Sequence, residues 1–254
     1  MKNFEDDELV SIVVPVYNAE RFIEETIQYV KAQTYENWEL ILVDDCSKDK
    51  SCGVIENSMK AESRIRLIRQ ETNSGAANCR NKGVTCARGR YVCFLDADDI
   101  WERDKLAREI TFMADDKGFV FTGYEFADED GRGLGKIVHV PREITYNEAL
   151  KNTTIFTSTV MIDRKIVADR DIMMPRIASE DTATWWNILK KYGKGYGLDE
   201  CLVRYRRSGG TLSSNKFMAI KRIWNLYRKY ERLSVVKSLY CMGFWATRAV
   251  FRRL

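Results

Sequence analysis

Short runs of apolar, mostly β-branched residues alternate with segments of helical periodicity through the first hundred-odd residues, and the runs close on polar or acidic groups. Residues 11–16, 38–43, 65–68 and 91–95 read as strands covered on both faces, because they lack the polar alternation of a half-exposed strand. After the first of them, Phe22, Ile23, Thr26, Ile27 and Val30 recur at helical spacing, and residues 53–61, 76–87 and 102–113 read as further helices. Repetition of this kind predicts a parallel sheet with helices on both faces.

Ligands of an open α/β sheet bind beyond the carboxyl ends of its strands. Three strand ends carry the relevant groups: Pro15, Tyr17 and Asn18 at the first, Asp44 and Asp45 at the second, and Asp96, Asp98 and Asp99 at the fourth. Carboxylates gathered on one rim repel one another unless a cation or hydrogen-bond donors compensate them. A hard divalent ion held by one or two carboxylates together with a substrate diphosphate answers that need. Singly, Asp44 and Asp45 also suit ordinary turn positions, and Asp99 suits a helix cap or a charge network near Trp101.

After Gly118 the pattern changes. Residues 119–126 and 136–140 flank the acidic, glycine-rich stretch 128–135 and read as a hairpin. Residues 157–162 read as another strand, 181–191 as a helix with Trp185, Trp186, Ile188 and Leu189, and the chain from Lys216 onward as helical, aromatic and basic. At 254 residues and 45% hydrophobic content, one large α/β domain with a tail is expected rather than a disordered chain. The formal charge is only +4, but residues 215–254 hold ten Lys/Arg against one acid, Glu231, leaving 31 basic and 36 acidic residues before them. No apolar run approaches the roughly 20 residues of a spanning helix. The acidic start has no signal-peptide core. The seven cysteines form no Cys-x-x-Cys and read as reduced thiols of a cytoplasmic protein.

Four segments in order, Ser-Ile-Val-Val-Pro-Val-Tyr-Asn (11–18), Ile-Leu-Val-Asp-Asp-Cys-Ser-Lys-Asp (41–49), Asn-Ser-Gly-Ala-Ala-Asn-Cys-Arg-Asn-Lys-Gly (73–83) and Gly-Arg-Tyr-Val-Cys-Phe-Leu-Asp-Ala-Asp-Asp (89–99), resemble the inverting family 2 glycosyltransferases. Ser179-Glu-Asp-Thr resembles that family's acceptor-site motif. The likeness is strong over residues 9–115, fair over 150–213 and absent in the basic tail. It implies a GT-A fold, a nucleotide-binding mixed sheet flanked by helices. It also implies a catalytic domain over 1–214, with a donor half at 9–115 and an acceptor half at 116–214, followed by a helical tail at 215–254.

The implied reaction moves a hexosyl or N-acetylhexosaminyl group from a nucleotide-sugar donor to a glycan or lipid-linked acceptor, with Mn²⁺ or Mg²⁺. A uridine donor is favoured over thymidine or guanosine. Pro15 and Tyr17 would shape the uracil and ribose pocket, and Asp45 would accept from the uracil N3–H. Arg80 would face the diphosphate or brace the loop after the third strand. Asp96 would touch the ribose or the outer sphere of the metal, Asp98 would ligate the metal, and Asp181 would be the general base. Glu180, Arg206 and Arg207 are further candidates for diphosphate or acceptor contacts. Two departures stand out: Cys46 where the family often has Gly, and Ser208 where many members carry His. The lone histidine, His139, reads as a partly exposed strand residue.

Other enzyme classes fit less well. A nucleotidyltransferase would place a Gly-rich basic loop after the first strand, and a dehydrogenase a Gly-x-Gly-x-x-Gly; neither occurs, nor does a Walker motif. The acid set at 45, 96, 98 and 181 argues against a silent binding module. The tail suits peripheral contact with an anionic membrane on the inner face of the cell, or packing on this domain or a second copy of the chain. No nucleic-acid motif accompanies its charge.

Overall fold

The computed structural model describes residues 8–113, 117–207 and 216–251. Strands and helices alternate as β1 (Val10–Val16), α1 (Ile23–Lys31), β2 (Trp38–Asp44), α2 (Ser51–Ala61), β3 (Ile65–Arg69), α3 (Ala76–Cys86) and β4 (Tyr91–Phe94). There follow β5 (Ile100–Trp101), α4 (Lys105–Met113), β6 (Phe119–Ala127), β7 (Gly133–Val138), β8 (Glu143–Thr145), α5 (Tyr146–Ala149) and β9 (Val160–Asp163). The chain ends in α6 (Asp169–Ile172), α7 (Glu180–Tyr192), β10 (Lys194–Arg206), α8 (Lys216–Asn225), a π-helical turn at Leu226–Tyr230, and α9 (Val235–Phe251).

One mixed sheet runs β3-β2-β1-β4-β9-β6-β10-β5, with β7 on β6 and β8 on β10. The first four strands are mutually parallel, as expected, and β9 joins both β4 and β6 antiparallel. Alternate residues feed two cores. Val13, Ile41, Val43, Val92 and Phe94 meet Cys79 and Val84 of α3 and Trp185 and Ile188 of α7. On the opposite face Ile12, Val14, Leu40, Leu42 and Cys93 meet Ile23, Ile27 and Val30 of α1, Ile55 of α2 and Leu106 of α4. Gly83 lets α3 lie against β1: a Cβ there would stand 2.2 Å from Val13 Cγ1.

One local expectation changes and two are refined. The strand expected over 157–162 is a 3₁₀ turn at Thr157–Thr159 followed by β9, so its hydroxyls leave the ladder and reach the site. The hairpin of β6 and β7 forms, but β10 fills the sheet beside β6 without an alternating pattern to announce it. The tail is no free arm. Ile223, Leu226, Tyr227 and Cys241 belong to the core of α7, and Tyr227 stacks on Trp186 at 5.5 Å between ring centroids. Burying side chains of this size is worth about 1.5–3 kcal/mol each. The expected boundary at 214/215 lies outside the described residues. No helix of the described residues is long and apolar enough to cross a membrane.

Candidate active site

β1 is flanked by β2 on one side and β4 on the other, so their connections leave in opposite directions and open a crevice at their carboxyl ends. A cavity of about 500 Å³ lies there, lined by Pro15, Tyr17, Asn18, Phe22, Asp45, Ala76, Arg80, Asp96 and Asp98 among others. Tyr17, Asp45, Asp96 and Asp98, which follow three separate strands, therefore meet in one place.

The Asp45 end of the cavity is built by interlocked loops. Asn18 donates from its amide N to Ser47 Oγ (3.0 Å), and its Oδ1 accepts from Lys48 N (2.9 Å). Asp45 is buried, with one carboxylate oxygen taking Ser74 N at 2.7 Å and the other Gly75 N at 2.8 Å. The first of these oxygens also accepts from Ser74 Oγ at 3.2 Å. Gly75, at φ +86°, caps α3, whose first residue, Ala76, lines the cavity with the positive end of the helix dipole. Cys46 occupies the glycine-like region at φ +64°, and its thiol donates to Gln70 O at 3.1 Å. The turn thus tolerates a side chain where the family often has none.

The acidic turn after β4 is fastened from three directions. Asp96 pairs with Arg80 at 2.5 Å, and its amide donates to Ser158 Oγ at 3.1 Å. Asp99 is buried and accepts from Ser158 Oγ at 2.5 Å, so it belongs to the internal charge network and not to the cavity. Burial, with Asp96 and Asp98 close by, holds its carboxyl well above the usual range. Asp98 lines the cavity, and its carboxylate takes no hydrogen bond from another described residue. Burial and the neighbouring Asp96 push it up to about 6. Among the described residues no three His, Cys, Asp or Glu side chains form a ready-made metal cage. The residues present suit a hard cation, for which Asp98 would be a ligand while a substrate diphosphate and water would supply the rest.

Arg206 lies elsewhere than the sequence suggested. Its buried guanidinium donates from Nε to Asp98 O (2.9 Å), from Nη1 to Glu129 O (2.9 Å) and from Nη2 to Glu25 Oε2 (2.6 Å). It stacks over Phe22 and braces the acidic turn instead of reaching a diphosphate. Arg207 is exposed, lies over the Phe126 ring and does not line the cavity. Ser208 lies outside the described residues. His139 is 72% exposed and faces Asp199, away from the lining.

Arg80 joins the two halves. Nearly buried, it bonds Asp96 with Nη2 and Glu180 with Nη1 at 3.0 Å, while its Nε is buried without a partner. Burial opposes its charge, but Asp96 and Glu180 outweigh that and hold it firmly protonated. Glu180 is itself raised, first by burial and then by Asp181 and Asp96. Asp181, in the first turn of α7, accepts from Thr157 Oγ1 at 3.1 Å and Thr182 N at 2.6 Å. Thr157 therefore orients Asp181 while its neighbour Ser158 holds the acidic turn. Neither hydroxyl stands out in the sequence; three consecutive hydroxyl residues before an apolar run is the only signal there.

Such a cleft fits several nucleotide-using enzymes, and likeness to known proteins separates them. The model of Glycosyl transferase family 2 matches residues 11–173. The chain is a family 2 glycosyltransferase. It is 45% identical over 248 residues to the putative teichuronic acid biosynthesis glycosyltransferase TuaG of Bacillus subtilis, spanning 97% of this chain and 98% of that one. That match runs into the basic tail, where the sequence motifs gave no likeness. It is 37% identical to the UDP-Glc:α-D-GlcNAc-diphosphoundecaprenol β-1,3-glucosyltransferase WfgD of Escherichia coli, over 94% of this chain and 93% of the relative. The fold is that of GT-A enzymes. S. aureus TarS 1–349 with UDP-GlcNAc superposes with a TM-score of 0.70 at 21% identity, over 95% of this chain and 72% of that one. The Pyrobaculum calidifontis mannosyltransferase PcManGT, with GDP-Man and Mn²⁺, gives 0.71 at 18% identity, over 94% and 73%.

Proposed function

We propose that this glycosyltransferase moves a hexosyl or N-acetylhexosaminyl group from a UDP-sugar to a hydroxyl of a lipid-linked glycan acceptor, with inversion. The observation that carries the reading is the Arg80 bridge, which holds the acidic turn of the donor cleft against the Glu180-Asp181 pair. Pro15 and Tyr17 flank the base, and Asp45 accepts from the uracil imide N–H. Asp98 would hold Mn²⁺ or Mg²⁺, with Asp96 in its outer sphere. When bound, the divalent ion offsets charge growing on the leaving diphosphate. The N-terminus of α3 adds fixed positive potential on the same side. Asp181, steadied by Thr157, takes the proton of the acceptor hydroxyl as that oxygen attacks the anomeric carbon from the face opposite the diphosphate. A single displacement of this kind inverts the anomeric centre.

The relative WfgD, by its name, uses a sugar on diphosphoundecaprenol, which supports a lipid-linked acceptor here. The outer face of α9 supports peripheral contact with an anionic membrane. Val236 is 79% exposed, Leu239 and Tyr240 58% and Phe244 43%, while Ser238 and Cys241 on the opposite side are buried. Apolar side chains outward, with Lys237 among them, suit an interface of acyl chains and anionic headgroups, where each basic residue adds ~1 kcal/mol. The test of the reaction is UDP-sugar turnover with Mn²⁺ and after chelation. Metal-dependent release of UDP is expected. Pyrophosphate chemistry would indicate a nucleotidyltransferase, and no release from any nucleotide-sugar would indicate a binding protein.

A further inference from the structure

A second cavity, of about 340 Å³, lies between the loop before α7 and the tail, lined by Ile177, Ala178, Asn225, Leu226, Lys229 and Tyr230. Its position is tied to the donor cleft by the same loop. Asn81 of α3 donates from Nδ2 to Met174 O (2.9 Å) and accepts at Oδ1 from Met174 N (2.7 Å). Arg176 Nε donates to Asn78 Oδ1 at 2.8 Å. One side of the loop is thus pinned to the helix whose first turn lines the donor cleft, and the next two residues line the second cavity. Ser179 follows at φ +61°, a left-handed conformation that costs a non-glycine residue ~1–2 kcal/mol, and it leads directly into Glu180 and Asp181. The proposed general base therefore follows the lining of the second cavity by three residues in the chain.

The tail side of the cavity is also unusual. Leu226–Tyr230 is π-helical, with Glu231 N donating to Leu226 O at 2.8 Å, a widened turn that is frequent at functional sites. The lining divides by chemistry. Ile177 and Tyr230 are 38% and 40% exposed and, with Leu226, form an apolar wall. Lys229 and Asn225 supply a cation and an amide donor, and none of the described lining residues is acidic. The nearest acid along the tail, Glu231, is spent on Lys190 (2.5 Å) and on the Tyr146 hydroxyl.

We infer that this cavity is the aglycone subsite of the acceptor and takes a prenyl diphosphate. The first isoprenyl unit lies on Ile177, Leu226 and Tyr230, and the diphosphate is met by Lys229 and Asn225. The inference rests on the lipid-linked acceptor reading above, and it specifies which surface recognises the lipid end. A nucleotide does not suit this lining, which offers no carboxylate for a base imide. An uncharged lipid would leave Lys229 without purpose.

The test uses the full-length protein with chelator and farnesyl diphosphate below its micelle concentration, followed by calorimetry. Farnesol and inorganic pyrophosphate are the controls. Farnesyl diphosphate is expected to bind roughly tenfold or more tighter than either control, because both the apolar and the charge-assisted contacts are needed. Binding should persist in excess UDP and fall roughly tenfold in Lys229→Glu and in Ile177→Asp. Melting temperatures of the two variants check that they fold. The idea is overturned by undiminished binding in both variants, by equal binding of farnesol or of pyrophosphate, or by displacement with UDP, which would locate the probe in the donor cleft. A failed UDP-release assay would instead strike the parent reading and leave these binding results standing.

Discussion

On the donor side of the cleft, each functional group follows its own strand: Tyr17 after β1, Asp45 after β2, Asp98 after β4. On the acceptor side the groups are brought together from far along the chain. Thr157 meets Asp181 from 24 residues away, and Arg80 meets Glu180 across 100. The parallel βα units make the donor cleft by local rules, since each strand end is a ligand position wherever the next connection turns back. The acceptor wall depends on a few polar ties between distant segments, Arg80 and the 157–159 turn above all. Damage to the two sides should therefore differ in kind.

The largest effect is expected at the base. Asp181→Asn removes the proposed proton acceptor and should lower transfer by roughly 10²–10⁴-fold, the usual worth of general base catalysis. Donor affinity should survive, because Asp181 is not among the residues lining the donor cavity. Calorimetry with UDP-sugar reads this directly, and a collapse of donor binding along with transfer would move Asp181 to the donor side. Asp98→Asn should damage both transfer and donor binding. Loss of one preorganised charge contact lowers kcat by about 10²–10³-fold, and metal-dependent nucleotide binding should weaken with it. Wild-type rates in Asp98→Asn, or full activity in excess chelator, would contradict the metal assignment.

This contrast also explains what the sequence disclosed. Residues 11–16, 38–43 and 91–95 announce themselves by apolar runs, and their ligands come next in line. β10 does not, because Gly195, Gly197 and the Asp199-Glu200 pair break any alternation and its register on β6 shifts twice between Leu198 and Val203. Arg206 was legible as a charge near the site, but its direction depends on Glu25 and Glu129, which no spacing connects to it. Thr157 and Ser158 were hidden in what reads as the start of a strand. The strain at Ser179 depends on how the 174–178 loop is pinned to α3, a tertiary fact.

The tail offers the same contrast on a smaller scale, between its two faces. The pair Val236→Asp and Leu239→Asp changes side chains that are 79% and 58% exposed, so it should leave the melting temperature alone. Binding to anionic vesicles should fall at least roughly tenfold, given about 1.5–3 kcal/mol for each large apolar side chain taken out of water. Equal pelleting of variant and wild type on anionic vesicles at low salt would reject the membrane face. On the inner face, Tyr227→Phe removes the hydroxyl that donates to the Leu150 carbonyl beneath the Trp186 stack. It should cost about 1–3 kcal/mol of stability, the price of an unsatisfied buried acceptor, and leave vesicle binding unchanged. Truncating the tail would confuse the two, because it strips the core of α7 at the same time.

The smallest effect is expected at α4, which packs against β6 and β10. Lys105 and Glu109 form an ion pair of 2.6 Å with both side chains fully buried, and Lys105 also lies 4.2 Å from the Trp101 ring centroid in β5. Burial raises the Glu109 carboxyl from an ordinary value of 4.5 to about 7 although Lys105 pulls it down, and Glu109 Oε1 has no partner. Cys93, which also feels this pair, is pushed higher still by burial and stays a neutral thiol. A carboxyl with a raised folded-state pKa binds its proton more tightly in the folded protein. Its contribution to stability is therefore complete below 4.5 and is lost as pH rises through about 7. Glu109→Gln keeps an acceptor for Lys105 and cannot titrate, so the wild type should lose stability relative to this variant between pH 5 and pH 8. Thermal melts of both proteins across that range read the difference. A wild type that instead gains on Glu109→Gln as pH rises would mean that the attraction of Lys105 outweighs the cost of burying the carboxylate, the less common balance for an ion pair with no water around it.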